Sequence, residues 1–290
     1  MTPLKIRGLH LDPARRFFGV TQLLQIVELA SKCGINTLHL HLSDDQGIAI
    51  ESNVLNFHSG WTINEQNIIY ETCKKLGIDI IPEFDIPGHS VALRSILDNK
   101  KYEPEKQMGV VSEGLIKFEN IPIILQLYDE IVSRFHPKYF HMGGDETRGT
   151  TKEYFQELVD KVCEWGLSKN IKIIAWEDVL GKVDPPNNLI IHKWKKRTYP
   201  QISQKLELLP LDRIIHSENY YLDTCLDIFT AYRTKIKPGI LGCIACTWGE
   251  LIGPENLEQS IFPALYLLGN RWNNPTNIVD PAVSFFCSKT

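Results

Sequence analysis

Asp145 and Glu146 follow a Gly-Gly pair in the segment Tyr139-Phe-His-Met-Gly-Gly-Asp-Glu. Adjacent carboxylates after a tight glycine turn can meet two different parts of one substrate, one moving a proton and the other steadying charge. They are not isolated. Asp12, Asp44-Asp45-Gln46, Glu83-x-Asp85, His89, Trp176-Glu177-Asp178, Trp194, Glu218, Tyr221, Asp223 and Trp248-x-Glu250 are the other unusual polar and aromatic positions. Carboxylates accept hydrogen bonds from vicinal hydroxyls, and indole rings stack on the apolar faces of pyranoses. Such a set suits carbohydrate chemistry, in which a proton goes to a glycosidic oxygen and an oxocarbenium-like centre is stabilised. Metal-assisted hydrolysis is the competing chemistry, with His39, His41, His89 and His141 as possible ligands. His39 and His41 stand two apart inside a strand-like run, however, which places them on one packed face, and no metal or other cofactor is expected. Cys243-x-x-Cys246 also lies in a strand-like run, where positions three apart point to opposite faces.

The elements that must carry these residues repeat one unit, a short apolar run followed by a helical-period segment. The strand-like runs are Ile6–Leu11, Thr37–Leu42, Ile78–Glu83, Tyr139–Gly143, Ile171–Trp176, Leu189–Trp194, Arg213–Ser217 and Gly242–Trp248. Helical patterns between them include Thr21–Cys33, Glu65–Leu76, Ile121–Phe135 and Lys152–Lys169, the first with Thr21 as its expected N-cap. Strands apolar on both faces predict a closed parallel sheet, a single-domain α/β (β/α)8 TIM barrel spanning residues 1–290. A doubly wound open sheet competes, but no Gly-x-Gly-x-x-Gly follows the first strand. The polar residues fall at the C-terminal ends of the strands, where such barrels build their sites. Leu93–Glu119 has weak periodicity and is expected to cross the barrel mouth.

Net charge is −4, and the only basic cluster is Lys193, Lys195, Lys196 and Arg197, which reads as a solvated loop. Nucleic acid and anionic membranes are therefore not expected partners. No segment approaches the roughly 18 consecutive apolar residues of a membrane span. The start lacks the apolar core of a secretory signal, and seven scattered cysteines fit a reducing compartment, so a cytoplasmic location is expected. Nothing in the chain fixes an oligomeric state.

His141-Met-Gly-Gly-Asp145-Glu146 resembles the His-x-Gly-Gly-Asp-Glu signature of the family 20 β-N-acetylhexosaminidases. The resemblance continues in order from about residue 6 to residue 272. It includes Arg7-Gly-Leu-His-Leu-Asp12-Pro-Ala-Arg15, His41-Leu-Ser-Asp44-Asp45-Gln46 with Glu51-Ser52, and Ile81-Pro-Glu-Phe-Asp-Ile-Pro-Gly-His89. Ala175-Trp176-Glu-Asp, Tyr220-Tyr221-Leu-Asp223 and Cys246-Thr-Trp248-Gly-Glu250 match the fifth, seventh and eighth strands.

The resemblance implies exo-acting, retaining release of terminal β-linked N-acetylglucosamine or N-acetylgalactosamine from a glycan. The nucleophile is the substrate's own acetamide, which forms an oxazolinium ion, an exception to the two-carboxylate scheme. It further implies Glu146 as general acid and base, Asp145 as the partner of the acetamide N–H, and His89 with Asp44 as a chain tuning Glu146. Tyr221 would bond the acetamide oxygen, while Trp176, Trp194 and Trp248 would wall the pocket. Arg7 and Glu250 would hold the 3-, 4- and 6-hydroxyls, with Asp223 supporting Tyr221 or a hydroxyl. Asp12, Arg15 and Glu83 read as structural ion pairs at strand ends, and Asp45 as a supporting residue. Two departures stand out. The first-strand motif begins at residue 6, so the small α/β domain that usually precedes the barrel is not expected, and no further tryptophan can be assigned to the leaving-group side. Removal of a disaccharide, as lacto-N-biosidases of the family do, and a non-catalytic carbohydrate-binding barrel are the alternative readings.

Overall fold

The computed structural model describes residues 2–102, 115–147, 149–224, 227–262 and 264–276. Eight parallel strands close in sequence order into a barrel: β1 Ile6–Leu11, β2 Thr37–His41, β3 Asp79–Glu83, β4 Tyr139–His141, β5 Lys172–Trp176, β6 Leu189–Lys193, β7 Ile214–His216 and β8 Gly242–Cys246. The helices are α1 Val20–Lys32, α2 Ile63–Lys75, α3 Val91–Leu97, α4 Ile121–Phe135, α5 Lys152–Ser168, α6 Pro200–Leu208, α7 Ile228–Arg233, α8 Leu257–Ile261 and α9 Ala264–Asn273. Among the described residues no helix is long and apolar enough to cross a membrane. The (β/α)8 expectation is met, with differences at the element ends. Helix α1 begins at Val20 on Gly19, which makes no side-chain cap, so Thr21 lies inside the helix. Strand β4 stops at His141 because Gly143 and Gly144 turn away with φ of 75° and 91°. Of the stretch Leu93–Glu119, residues 103–114 lie outside the described residues, and Leu93–Leu97 belong to α3.

Closure is made by β1 on β8, where Ile6 pairs with Gly242 and His10 with Cys246. Gly242 is required by that approach, since a Cβ there would overlap the Ile6 carbonyl. Alternation along the strands then sorts the side chains. One set packs outward beneath the helices, including Leu9, Leu11, Leu38, Leu40, Ile173 and Ala245. The inward set begins with an apolar layer of Ile6, Ile81, Ile174, Ile190, Ile215 and Ile244. Towards the strands' C-terminal ends the inward residues become polar. His10, His39, His141, His192, Glu83 and Ser217 are all fully buried. The site is built on this polar layer.

Candidate active site

Glu83 sits at the end of β3 with no exposed surface, and an unpaired carboxylate in such a place would cost several kcal/mol. It is compensated from several strands. Trp176 Nε1 donates to Oε1 at 2.8 Å, and His41 Nδ1 lies 2.9 Å from Oε2. His39 Nε2 stands 3.0 Å from Oε2, and His141 Nδ1 3.1 Å from Oε1. Burial pushes the Glu83 carboxyl up, but His141, His41 and His39 outweigh it and hold it well below the usual carboxylate range. The surrounding rings divide the charge. Burial drives His10 and His192 well down and His39 to about 4, so these stay neutral. His41, despite its burial, is raised well above the ordinary imidazole range by Glu83 and Asp44. As an imidazolium it donates from both nitrogens, one to Glu83 and one to Asp44 Oδ2 at 2.8 Å.

Among the described residues four trios, His10/His41/Glu83, His39/Glu83/His141, Asp44/Asp45/His89 and Asp85/His89/Asp145, place possible metal-ligand atoms within 4.8 Å of one another. His41, protonated and 2.9 Å from Glu83 Oε2, has no lone pair to offer a metal, and His141 Nδ1 already accepts from Gly143 N at 3.0 Å.

From Asp44 the chain continues to the acids. His89 Nδ1 lies 3.6 Å from Asp44 Oδ2, and its Nε2 lies 3.6 Å from Glu146 Oε2 and 3.8 Å from Asp145 Oδ2. His89 is nearly buried, yet Asp145, Glu146 and Asp44 together raise it to about 10. The contact with His89 in turn keeps Glu146 below its ordinary value. Asp145 moves the other way, to about 6, because burial and the charges of Asp178, Glu83 and Glu146 exceed the attraction of His89. In the free site, therefore, one proton is held on His89 within reach of Glu146.

The backbone that aims these groups is strained. Glu146 and His89 are non-glycine residues with φ of 48° and 47°, a conformation that costs of order 1 kcal/mol or more and persists where the surroundings enforce it. The enforcement is visible at the turn. Gly144 N donates to Asp85 Oδ1 at 2.9 Å, and a Cβ on Gly143 would overlap the Asp85 carboxylate.

Around the acids stand Trp194, whose Nε1 donates to Asp178 Oδ2 at 2.8 Å, and Tyr221, whose ring lies 6.3 Å from that of Trp194. The Tyr221 hydroxyl and Asp145 Oδ1 are buried with no hydrogen-bond partner among the described residues. Trp248 packs 4.3 Å from His10 and 5.2 Å from His41. Asp223, raised to about 6 by burial and then by Glu250 and Asp12, lies near Glu250. Trp176 is 1% exposed and stacks at 4.2 Å on His192, so it belongs to the layer beneath the acids.

Two arginines exchange places relative to the sequence reading. Arg7 does not reach this region: its Nε donates to the Gly34 carbonyl at 2.9 Å and its Nη1 to the Leu4 carbonyl at 2.6 Å. It lies at the start of β1 and faces away from the barrel interior, so it fastens the N-terminal end of the strand. Arg15, read as structural, is at the site instead. Its guanidinium meets Asp12 at 2.9 Å, Asp44 at 2.8 Å and Glu250 at 3.5 Å, and lies 4.9 Å from the Trp248 ring. The sequence signal for this was position, because Arg15 follows the C-terminal end of β1 and Arg7 precedes it. His10 and His192 were also missed, being single imidazoles inside largely apolar strands. Cys243 and Cys246 face opposite sides of β8, one outward and one inward, and both thiols are free.

A family model described as the glycosyl hydrolase family 20 catalytic domain matches residues 5–157. The beta-hexosaminidase subunit beta of Felis catus is 24% identical over 320 residues, covering 94% of this chain and 60% of its own length. The Homo sapiens beta-hexosaminidase subunit beta is 23% identical, with 92% and 56% covered. Among solved structures, a Streptomyces plicatus beta-hexosaminidase mutant in complex with its product GlcNAc superimposes with a TM-score of 0.84 at 21% identity, covering 98% of this chain and 66% of its own. A Flavobacterium johnsoniae chitobiase gives 0.82 at 24% identity, with 99% and 52% covered. At these identities the solved structures establish the barrel fold, and the chain spans about 60% of the Felis catus relative's length.

Proposed function

The chain belongs to glycosyl hydrolase family 20, and we propose that it is a retaining exo-β-N-acetylhexosaminidase that removes terminal β-linked N-acetylglucosamine or N-acetylgalactosamine by substrate-assisted catalysis. The observation that carries this reading is the contact chain Asp44–His89–Glu146 with Asp145 beside it, four groups with opposed proton affinities at one strand-end cluster. A binding protein has no use for a proton held between such groups.

In the first step Glu146 gives its proton to the glycosidic oxygen while the acetamide carbonyl oxygen attacks the anomeric carbon. The leaving alcohol departs, and a bicyclic oxazolinium forms. His89, charged in the free site, is the reservoir from which Glu146 carries that proton. Asp145 accepts the acetamide N–H, whose acidity rises as the oxazolinium forms, and Tyr221 donates to the acetamide oxygen. Buried, otherwise unpartnered Asp145 Oδ1 and Tyr221 Oη suit that acceptor and donor pair. In the second step Glu146 takes a proton from water as it attacks the same carbon, so configuration is retained. Because the nucleophile is tethered to the sugar, its effective concentration is high without a covalent enzyme intermediate. Arg15 with Glu250 replaces Arg7 in holding the sugar hydroxyls, and Trp194 and Trp248 border the ring. Free buried thiols at Cys73, Cys163, Cys243 and Cys246 favour a reducing compartment such as the cytoplasm.

The test is turnover of 4-nitrophenyl N-acetyl-β-D-glucosaminide and its galacto epimer beside the corresponding β-glucoside. We expect release of nitrophenol from at least one acetamido sugar and, from the glucoside, a rate lower by at least about 10³, since the intramolecular nucleophile is missing. Equal rates on both would contradict the mechanism. A pH dependence follows as well. Asp145 must be ionised to accept the N–H, and its value of about 6 means that it gains a proton as pH falls. A plot of kcat/KM between pH 4 and 8 should therefore rise through an apparent value of about 6 belonging to the coupled cluster.

A further inference from the structure

The loop after β6 carries Lys193, Lys195, Lys196 and Arg197, and their surroundings differ. Lys193 is ion-paired with Glu218, and Lys195 with Asp178 at 2.5 Å. Lys196 and Arg197 are exposed and have no ion-pair or hydrogen-bond partner among the described residues. With Lys195 they line a cavity of about 450 Å³ whose other walls include Trp194, Asn219, Tyr221 and Thr230. The acids bordering that cavity are already committed. Glu218 pairs with Lys193 and His216, and Asp227 accepts from the backbone of Phe229 and Thr230 at the start of α7. The uncommitted charge in the cavity is positive.

The cavity also has a definite position relative to the chemistry. Trp194 and Tyr221 are shared between it and the acid cluster. Lys195 and Arg15 both lie close enough to lower the proton affinity of Glu146. Glu146 has to reach the leaving oxygen, and since Arg15 with its partner Glu250 is assigned above to the hydroxyls of the terminal sugar, the Lys195 side is left for the leaving group. A guanidinium and an ammonium without partners are suited to a carboxylate or a sulfate ester, and Trp194 offers an indole at the border of the cavity.

We propose that the cavity between the loops following β6 and β7 is a leaving-group subsite for an anionic sugar unit, with Lys196 and Arg197 as its charge-recognising residues. This rests on the hexosaminidase reading above and narrows it, because it names the class of glycan: an N-acetylhexosamine β-linked to an acidic sugar.

The experiment compares kcat/KM of the full chain on N-acetylglucosamine β(1→4)-linked to glucuronate, to 6-sulfated N-acetylglucosamine and to unmodified N-acetylglucosamine. The expected result is an acidic-to-neutral ratio of about tenfold at low ionic strength, falling as salt is raised, which is the size and behaviour of two solvent-facing charge contacts. In the double variant Lys196→Ala/Arg197→Ala that ratio should fall to about one. Preference for the glucuronate alone identifies a carboxylate subsite, preference for the sulfated sugar alone a sulfate subsite, and preference for both a general anion subsite. Equal kcat/KM on all three disaccharides, or a preference that survives the double substitution, overturns the proposal while turnover of the aryl N-acetylglucosaminide leaves the hexosaminidase reading standing. Loss of aryl turnover in the unaltered chain overturns that reading itself.

Discussion

Glu146→Gln should lower kcat/KM on an N-acetylhexosaminide by about 10³-fold, within the range that general acid–base catalysis contributes. Glutamine keeps the shape of the side chain, but it can neither deliver a proton to the leaving oxygen nor take one from water. Both halves of the reaction therefore suffer. The loss should be smaller on an aryl substrate whose leaving group needs little protonation, provided that the first step limits the rate. Stability should not fall with it. Glu146 lies on a strained turn, contacts His89 only at 3.6 Å and is partly exposed, so an unchanged or slightly raised melting temperature is expected. Full turnover in this variant would remove Glu146 from the mechanism.

The second large effect is on the fold. Glu83→Ala removes the one carboxylate that faces His39, His41, His141 and Trp176 inside the barrel. It leaves a buried imidazolium with only Asp44 as counter-ion, and Trp176 Nε1 without its acceptor. Breaking one side of a buried ion pair costs about 3–5 kcal/mol. At roughly 2–4 °C per kcal/mol for a domain near this size, the melting temperature should fall by roughly 6–20 °C. The pH at which this is measured matters. The folded-state carboxyl of Glu83 is depressed, so its contribution is fully present above the unfolded value of about 4.3 and is lost as pH falls. His41 is raised in the folded state, so its contribution is fully present below about 6.5 and is lost as pH rises through its folded value. The difference between wild type and variant should accordingly be widest between about pH 4.3 and 6.5. A melting difference of under about 2 °C across that window would show that Glu83 does not hold the layer together.

The two effects mark what the sequence makes legible. Eight strands could be read because each is a short, largely apolar or β-branched run followed by a helical-period segment, and eight such units in series fit few arrangements other than a closed parallel barrel. Asp145 and Glu146 were legible because Gly143 and Gly144 announce the turn that carries them at the end of β4. Arg7 shows where motif spacing misleads. It stands four residues before the end of β1, about 13 Å at the rise of an extended strand, and its guanidinium is spent on the carbonyls of Leu4 and Gly34. Arg15 lies beyond the strand end, where residues from other strands converge on it. The polar interior was the least legible part. His10 and His192 are single imidazoles in apolar runs, and only barrel closure brings them around Glu83 with His39 and His141. Their shared burial, not any local pattern, makes them one layer. The basic run after β6 was similarly ambiguous, since only the fold gives Lys193 and Lys195 their partners Glu218 and Asp178 and leaves Lys196 and Arg197 without one among the described residues.

The central claim is that the nucleophile belongs to the substrate and that Asp145 and Tyr221 hold it. N-acetylglucosamine thiazoline is a stable bicyclic mimic of the oxazolinium ion, and a site complementary to that ion should bind it at least about 10²-fold more tightly than substrate. Measured against hydrolysis of the aryl N-acetylglucosaminide, it should act as a competitive inhibitor with an inhibition constant about two orders of magnitude below KM, and Asp145→Asn should weaken that inhibition markedly. Undiminished hydrolysis at thiazoline concentrations above KM would contradict the account.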